Sequence, residues 1–256
     1  MHQSIINYQG NKFNESKKYL KDIDFSNYDN IIECFGGSFG FIRYLYYHRN
    51  LKNKKFIVYD YNKDLIDFYN YFKNTDREEF IEKYNLISSI IFDLYSTGKD
   101  KTQIKLKPTI KYINELEENK NLKYLLIKNI KSSFVSRVYH KNRLKDLSIW
   151  DKIEFIHKPI QDINFEEFNK EKTLIYLDPP YLDEDISFYK IKGSKMNLKE
   201  IFDKIKELFK NNYKSFLVHS YNEYLNDNFK EWEFMKYDKK YGNTGKKVKH
   251  IIYYNI

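Results

Sequence analysis

Alanine is absent from the 256 residues, cysteine occurs once, at Cys34, and proline only four times. A single cysteine excludes a disulfide framework and a cysteine-rich zinc site. No apolar run approaches the ~20 residues needed to cross a bilayer, because Lys, Asn or Asp interrupts each stretch, so no membrane span is expected. The opening MHQSIINYQG lacks the apolar core of a secretion signal. An intracellular protein, cytoplasmic or nucleoid-associated, from a bacterium, phage or DNA virus is therefore expected. Lys, Asn, Ile, Tyr and Phe fill the space left by alanine, the mark of a coding sequence biased towards A and T. At 31.4 kDa the chain is large enough to bury a sizeable core, as one domain or one domain with an insertion.

The formal net charge is +9 and the isoelectric point is near 9.1. Biased codons alone would spread lysine evenly. Residues 98–145 instead hold 13 Lys and Arg against 4 acids, and the other 208 residues hold 32 of each sign. The whole surplus thus falls in one segment, the pattern of a nucleic-acid footprint. Tyr112, Tyr124, Phe134, Tyr139, His140 and Asn142 interleave with that charge, which suits phosphate contact combined with stacking or base-edge contact. Arg137, His140, Lys141, Asn142 and Arg143 are the candidate nucleic-acid-binding residues.

Short β-rich runs alternate with helical patterns on both sides of this segment, the signature of βαβ units and a mainly parallel sheet. Expected strands are Asn30 to Phe35, Lys55 to Asp60, Ile153 to His157, Thr173 to Asp178 and Ser215 to Ser220. Trp232 to Tyr237 and His250 to Asn255 read as a C-terminal antiparallel hairpin around the turn-rich Tyr241 to Lys247. Helices are expected from Ser38 to about Arg49, Lys63 to about Phe72, and Asn197 to about Asn211. Thr75 and Glu78 form a capping-box pattern for a further helix reaching about Ser96. Between the second and third strands lie about 80 residues of helical periodicity, too long for a simple crossover. The chain therefore divides into 1–73 with 151–256, an α/β domain with a Rossmann-like sheet, and an inserted, mostly helical lobe at 74–150.

Three motifs carry chemistry. IIECFGGSFG runs from the first strand through Gly36, Gly37 and Gly40 into a helix, so the backbone can turn sharply and approach a ligand at a helix N-terminus. KFIVYD ends in Asp60, where a carboxylate can accept from both hydroxyls of a ribose. In TLIYLDPPY, Pro179 and Pro180 follow an apolar run and neither can donate to a ladder, so the strand stops at about Asp178. That puts the carboxylate at the carboxyl edge of the sheet, where open α/β folds bind ligands. Six histidines (His2, His48, His140, His157, His219, His250) show no ligand spacing, so no metal site is assigned.

Asp178-Pro179-Pro180-Tyr181 after an apolar strand resembles the catalytic motif of amino-methyltransferases that use S-adenosylmethionine. The rest of the chain resembles the Dam-type DNA adenine methyltransferases. Their N-terminal aromatic-x-Gly-x-Lys element is matched by Tyr8, Gly10 and Lys12, and their glycine motif by ECFGGSFG. Their next strand, ending D-x-N-x-x-L, is matched by Asp60, Asn62 and Leu65. Their target-recognition lobe falls where the basic surplus lies, and their closing basic turn and strand are matched by GKKVKHIIYYN. The resemblance covers nearly the whole chain in order. Tyr8 replaces the family's usual Trp, and Cys34 its usual Pro. No recognition pattern can be matched residue by residue, so the target sequence is not readable.

The resemblance implies double-stranded DNA as partner and S-adenosylmethionine as cofactor, and it leaves open a restriction endonuclease or another protein partner. Asp178 and the Pro179 carbonyl would accept hydrogen bonds from the target amino group, Tyr181 would stack on a flipped base, and Pro180 belongs to the same catalytic motif. Glu33, Phe35, Gly36, Gly37 and Gly40 would line the methionine side, with Asp178 beside them. Asp60 and Tyr61 would meet the ribose, and Ile160 and Asp162 the adenine edge. Tyr8, Gly10 and Lys12 would close over the cofactor. Ser220 and Tyr221 are candidates for the pocket wall. The same chemistry on cytosine N(4) or on RNA, and a non-catalytic DNA-binding subunit, are the alternatives. The glycine turn and Asp60 alone would also allow a nicotinamide oxidoreductase, which the proline motif and basic lobe do not fit.

Overall fold

The computed structural model describes residues 5–6, 12–97, 103–136, 147–181, 197–240 and 247–256. In chain order the elements are α1 (Phe13–Tyr19), β1 (Asn30–Cys34), α2 (Gly40–His48), β2 (Lys55–Asp60), α3 (Lys63–Lys73) and α4 (Arg77–Tyr95). Next come the short pair β3 (Ser96–Thr97) and β4 (Gln103–Ile104), then α5 (Leu106–Glu115) and α6 (Lys120–Ser136). β5 (Ile153–His157), β6 (Thr173–Leu177), α7 (Leu198–Lys210), β7 (Lys214–Ser220), α8 (Glu223–Phe229), β8 (Glu233–Lys240) and β9 (Lys247–Tyr254) complete the described chain.

Seven strands form one sheet in the order β5-β2-β1-β6-β7-β9-β8. β5, β2, β1, β6 and β7 pair in parallel, and β9 runs antiparallel to both its neighbours. This is the Rossmann-like, mainly parallel sheet with a C-terminal antiparallel hairpin that the sequence pattern leads one to expect. After β1 the chain first builds outward through β2 to β5 and then returns to place β6 on the other side of β1. The carboxyl ends of β1 and β6 therefore flank the switch point at which open α/β sheets bind ligands.

Strand burial follows position in the sheet. Thr173 to Leu177 of β6 are all buried, as a central strand covered on both faces requires, and the run TLIYL is correspondingly continuous in apolarity. β5, at the edge, buries Ile153 and Phe155 and exposes Glu154 and His157. On one face Ile32, Ile57, Ile175 and Leu217 pack against Ile201, Ile205, Leu208 and Phe209 of α7. Those α7 positions recur every three or four residues, and Asn197 caps the helix by accepting from the Lys199 and Glu200 amides. On the other face Phe41 of α2 stacks on Tyr176 at 4.0 Å between centroids, with Phe216 and Phe25 beside them.

The chain packs as two compact units, Lys12–Asn62 with Lys152–Ile256, which hold the sheet, and Met1–Asn11 with Lys63–Asp151. In the second unit Phe72 meets Trp150 at 4.6 Å, Phe68 meets Phe80 and Tyr124, and Asn129 donates to Tyr84 Oη and to the Ile5 carbonyl. Those contacts explain why α3 and Ile5 pack with the helical insert, whereas the sequence division at residue 73 puts them with the sheet. The helix cap before α4 also differs from expectation. Asp76, not Thr75, accepts from the Glu78 and Glu79 amides, because Asp76 is the residue that leaves the helix with an extended backbone. No helix among the described residues is long and apolar enough to cross a membrane.

Candidate active site

β1, β2 and β6 end level with one another. Cys34 pairs with Tyr59 on one side and with Leu177 on the other, so the next residues, Phe35, Asp60 and Asp178, share one row at the carboxyl edge. Phe35 (φ 62°), Gly37 (φ 47°) and Phe39 (φ 40°) all adopt the left-handed conformation, which is costly for the two phenylalanines. Three contacts hold the turn in place. The Gly36 amide donates to the Tyr59 carbonyl at 2.9 Å, the Gly37 amide donates to Asp60 Oδ2 at 2.9 Å, and buried Phe39 packs on Phe155. A Cβ on Gly36 would collide with Val58 Cγ1 and lie 3.3 Å from the Tyr59 carbonyl oxygen, so the first glycine is required by close approach to β2.

Asp60 is buried, and its Oδ1 accepts from the Asn62 amide at 2.7 Å while Oδ2 holds Gly37. It therefore ties the turn after β1 to the turn after β2. A carboxylate has about four acceptor positions, so this role is compatible with receiving hydroxyls as well. The hydroxyl of the next residue, Tyr61, is buried and meets no hydrogen-bond partner among the described residues. Ile160 lies in a 3₁₀ turn after β5 and is buried in the core with Ile32, Cys34 and Ile57, whereas Asp162 of the same turn is exposed.

Glu33 holds the start of α2. α2 has no side-chain cap of its own, and Glu33 reaches from β1 to accept from the Ile42 amide at 2.9 Å and the Phe41 amide at 3.5 Å. Gly40 is the first residue of α2. Burial pushes the Glu33 carboxyl up to about 8 despite the two amides, with Asp178 adding to the shift and Arg43 opposing it.

Lys12 is 4% exposed and sits immediately before α1. Its Nζ lies 2.7 Å from Asp178 Oδ2 and donates to Tyr181 Oη at 3.0 Å. The Asp178 side chain is 19% exposed, and Pro179, Pro180 and Tyr181 are buried behind it. Burial works against a charge on Lys12, but Asp178, Tyr181 and Glu15 outweigh it and hold the ammonium well above the usual lysine range. Burial also raises the Asp178 carboxyl, and Lys12 only partly offsets that. The Tyr181 ring packs on His219 at 4.6 Å and on His250 at 5.5 Å, and burial raises its hydroxyl well above the usual phenol range. Tyr181 is thus a wall of the site in this form, and stacking on a base requires one ring face to open. Ser220 is buried with its hydroxyl 3.2 Å from His219 Nδ1, and Tyr221 is exposed.

Lys12, Glu33, Phe35, Gly36, Gly37, Asp60, Tyr61 and the motif Asp178 to Tyr181 are therefore grouped at the carboxyl edge. Tyr8, Gly10 and the basic cluster of Arg137, His140, Lys141, Asn142 and Arg143 lie outside the described residues. Glu15, Tyr237 and Lys239, which surround Lys12 from behind, escape a reading of the sequence. No signal there marks them, since their partners lie more than 200 residues away. Among the described residues, no group of three or more His, Cys, Asp and Glu is placed to hold a metal.

No known protein family's sequence profile matches the chain, and no curated protein matches it. Among solved structures, a candidate rRNA methylase from Clostridium thermocellum superposes over 95% of this chain and 97% of that one, at 10% identity and a TM-score of 0.42. A likeness that loose bears on neither substrate nor mechanism.

Two expectations follow from the site. Gly36→Ala should destabilise the sheet unit by about 1–3 kcal/mol through overpacking, and in urea melts it should cost less in a Val58→Ala background than in the wild type. Because the folded chain binds the Glu33 proton more tightly than the unfolded chain, stability from this group is full below 4.5 and is lost as pH rises towards about 8. Glu33→Gln should flatten stability against pH across that window, and an unchanged curve would show that Glu33 titrates normally.

Proposed function

We propose that the chain is an S-adenosylmethionine-dependent DNA methyltransferase acting on the exocyclic amino group of adenine, with the target base turned out of the duplex. The observation that carries this reading is the Asp178 carboxylate, fixed by Lys12 at the end of a central strand and level with the glycine turn. The order of motifs along the chain supports adenine in DNA, and the basic surplus between residues 98 and 145 supports a polyanionic partner.

S-adenosylmethionine, when bound, supplies a methyl group that is already electrophilic on its sulfonium. Difficulty then lies with the nucleophile, because the adenine amino nitrogen shares its lone pair with the ring. Asp178 and the Pro179 carbonyl would accept hydrogen bonds from that amino group and favour the geometry in which its lone pair is free to attack. Lys12 occupies Oδ2 and holds the carboxylate in one orientation, and the carboxylate retains acceptor capacity at its other oxygen. Burial makes Asp178 a stronger acceptor than a solvated carboxylate and suits it to receive the proton that the methylated nitrogen sheds. Asp60, Tyr61 and the glycine turn would hold the cofactor. The lobe carrying Arg137, His140, Lys141, Asn142 and Arg143 would grip the duplex while the base is extruded, at a cost of a few kcal/mol.

Asp178→Ala should lower methyl transfer by about 10²–10³-fold while DNA affinity changes little, and near wild-type turnover would remove Asp178 from the mechanism. Replacing Arg137, Lys141 and Arg143 together by Gln should weaken DNA binding and reduce the salt slope by about 0.9 for each phosphate no longer neutralised. An unchanged slope would move the footprint elsewhere.

A further inference from the structure

Lys12, at the start of α1, is not the only charged residue that this segment sends into the interior. One helical turn on, buried Glu15 points to the β8–β9 hairpin. Its Oε1 lies 2.7 Å from Lys239 Nζ, and its Oε2 accepts from the Tyr237 hydroxyl at 2.9 Å. The Tyr237 oxygen lies 3.3 Å from His250 Nδ1, and the His250 ring meets Tyr181 edge to face. Since Tyr237 gives its proton to Glu15, the contact with His250 is made when Nδ1 carries a proton. The path returns to the site, because Tyr181 accepts from Lys12. Four buried or half-buried charges thus alternate in sign: Asp178, Lys12, Glu15 and Lys239.

We propose that Glu15 and Lys239 are positioning residues whose ion pair fixes α1 and balances the charge of Lys12, so that Lys12 is delivered to Asp178. The role rests on the methyltransferase reading only for its kinetic consequence. It has two supports. α1 has seven residues, and its packing through Phe13 on Tyr44 and His48 and through the Tyr19 hydroxyl on Tyr176 at 2.8 Å is joined on the hairpin side by Glu15, one turn from Lys12, whose ion pair adds a polar anchor there. Charge is the second. Without the Glu15 carboxylate, Lys12 and Lys239 would be two neighbouring buried cations sharing Asp178 as their counter-ion.

The groups that face Lys12 agree. Asp178, Tyr181 and Glu15 favour its charged form. Burial lowers Lys239, with Lys12 adding to the shift and Glu15 opposing it. Burial pushes His250 down to about 3, with Lys239 the next cause, so it is a neutral spacer rather than a third cation. Tyr19 and Tyr237 are raised by burial and remain neutral hydroxyls around the same ammonium. Lys12 and Lys239 together lower Glu15 against the effect of its burial, so its carboxylate stays charged.

The test compares Glu15→Gln, Lys239→Met and the double variant in the intact chain. Each single change should lower kcat about tenfold with KM for duplex DNA within about twofold, and the double variant, balanced again, should recover to within about threefold of wild type. A crystal structure of Glu15→Gln should show Lys12 Nζ withdrawn from Asp178. If Glu15→Gln fails to fold, Lys239→Met carries the same comparison from the other partner. Single variants that keep kcat within about twofold, or losses that simply multiply in the double variant, would overturn the proposal. If the wild-type chain transfers no methyl group to any nucleic acid, the proposed function fails. The Lys12–Asp178 contact in the variant structure still decides whether Glu15 positions Lys12.

Discussion

The pairing of Lys12 with Asp178 at 2.7 Å is the interaction on which the geometry of the site depends. Burying two charges costs free energy that their attraction does not reliably return, so such a pair is weak evidence of a stabilising device. What it supplies is position. Asp178 follows a fully buried central strand and precedes two prolines that cannot donate to a ladder, so its backbone is fixed without help. Its side chain is not, and Lys12 removes that freedom while also anchoring the Tyr181 hydroxyl. Removing either partner would leave the other charge poorly compensated, at about 3–5 kcal/mol for a fully buried case.

A second constraint is the shared row at the carboxyl edge. Parallel pairing in register makes β1, β2 and β6 stop together, which brings residues more than 100 positions apart to one line. Asp60 then works across the row, holding Gly37 with one oxygen and its own turn with the other. Glu33 does the corresponding work for α2, whose first turn lacks a cap. Both carboxylates are thus engaged in part by backbone amides. Those bonds are why a turn with two left-handed phenylalanines can persist.

Much of this was legible in the sequence where local rules dominate. The central strands read as continuous apolar runs because both faces are covered, and the strand stop at Asp178 follows from proline chemistry alone. The C-terminal hairpin was readable as two β-rich runs around a turn, although its strands run further, to Lys240 and from Lys247. What escaped depends on partners distant in sequence. α1 and α8 have seven residues each, too few to show a helical period. That Glu33 also caps α2 is not readable in the sequence, which does not reveal that this helix lacks a cap of its own. Glu15 carried no signal, since its two partners lie on the last hairpin. Asp76 capping α4 in place of Thr75 is a shift of one residue, the scale on which capping patterns are ambiguous.

The central claim is that the fixed carboxylate at the end of β6 serves methyl transfer to an amino group of DNA. Its most direct test is tritium transfer from labelled S-adenosylmethionine to unmethylated duplex DNA, followed by nucleoside analysis of the product. Label in N6-methyladenine is the expected result. Label in methylated cytosine or only in RNA would contradict the substrate, and cofactor binding without transfer to any nucleic acid would contradict the catalytic role itself.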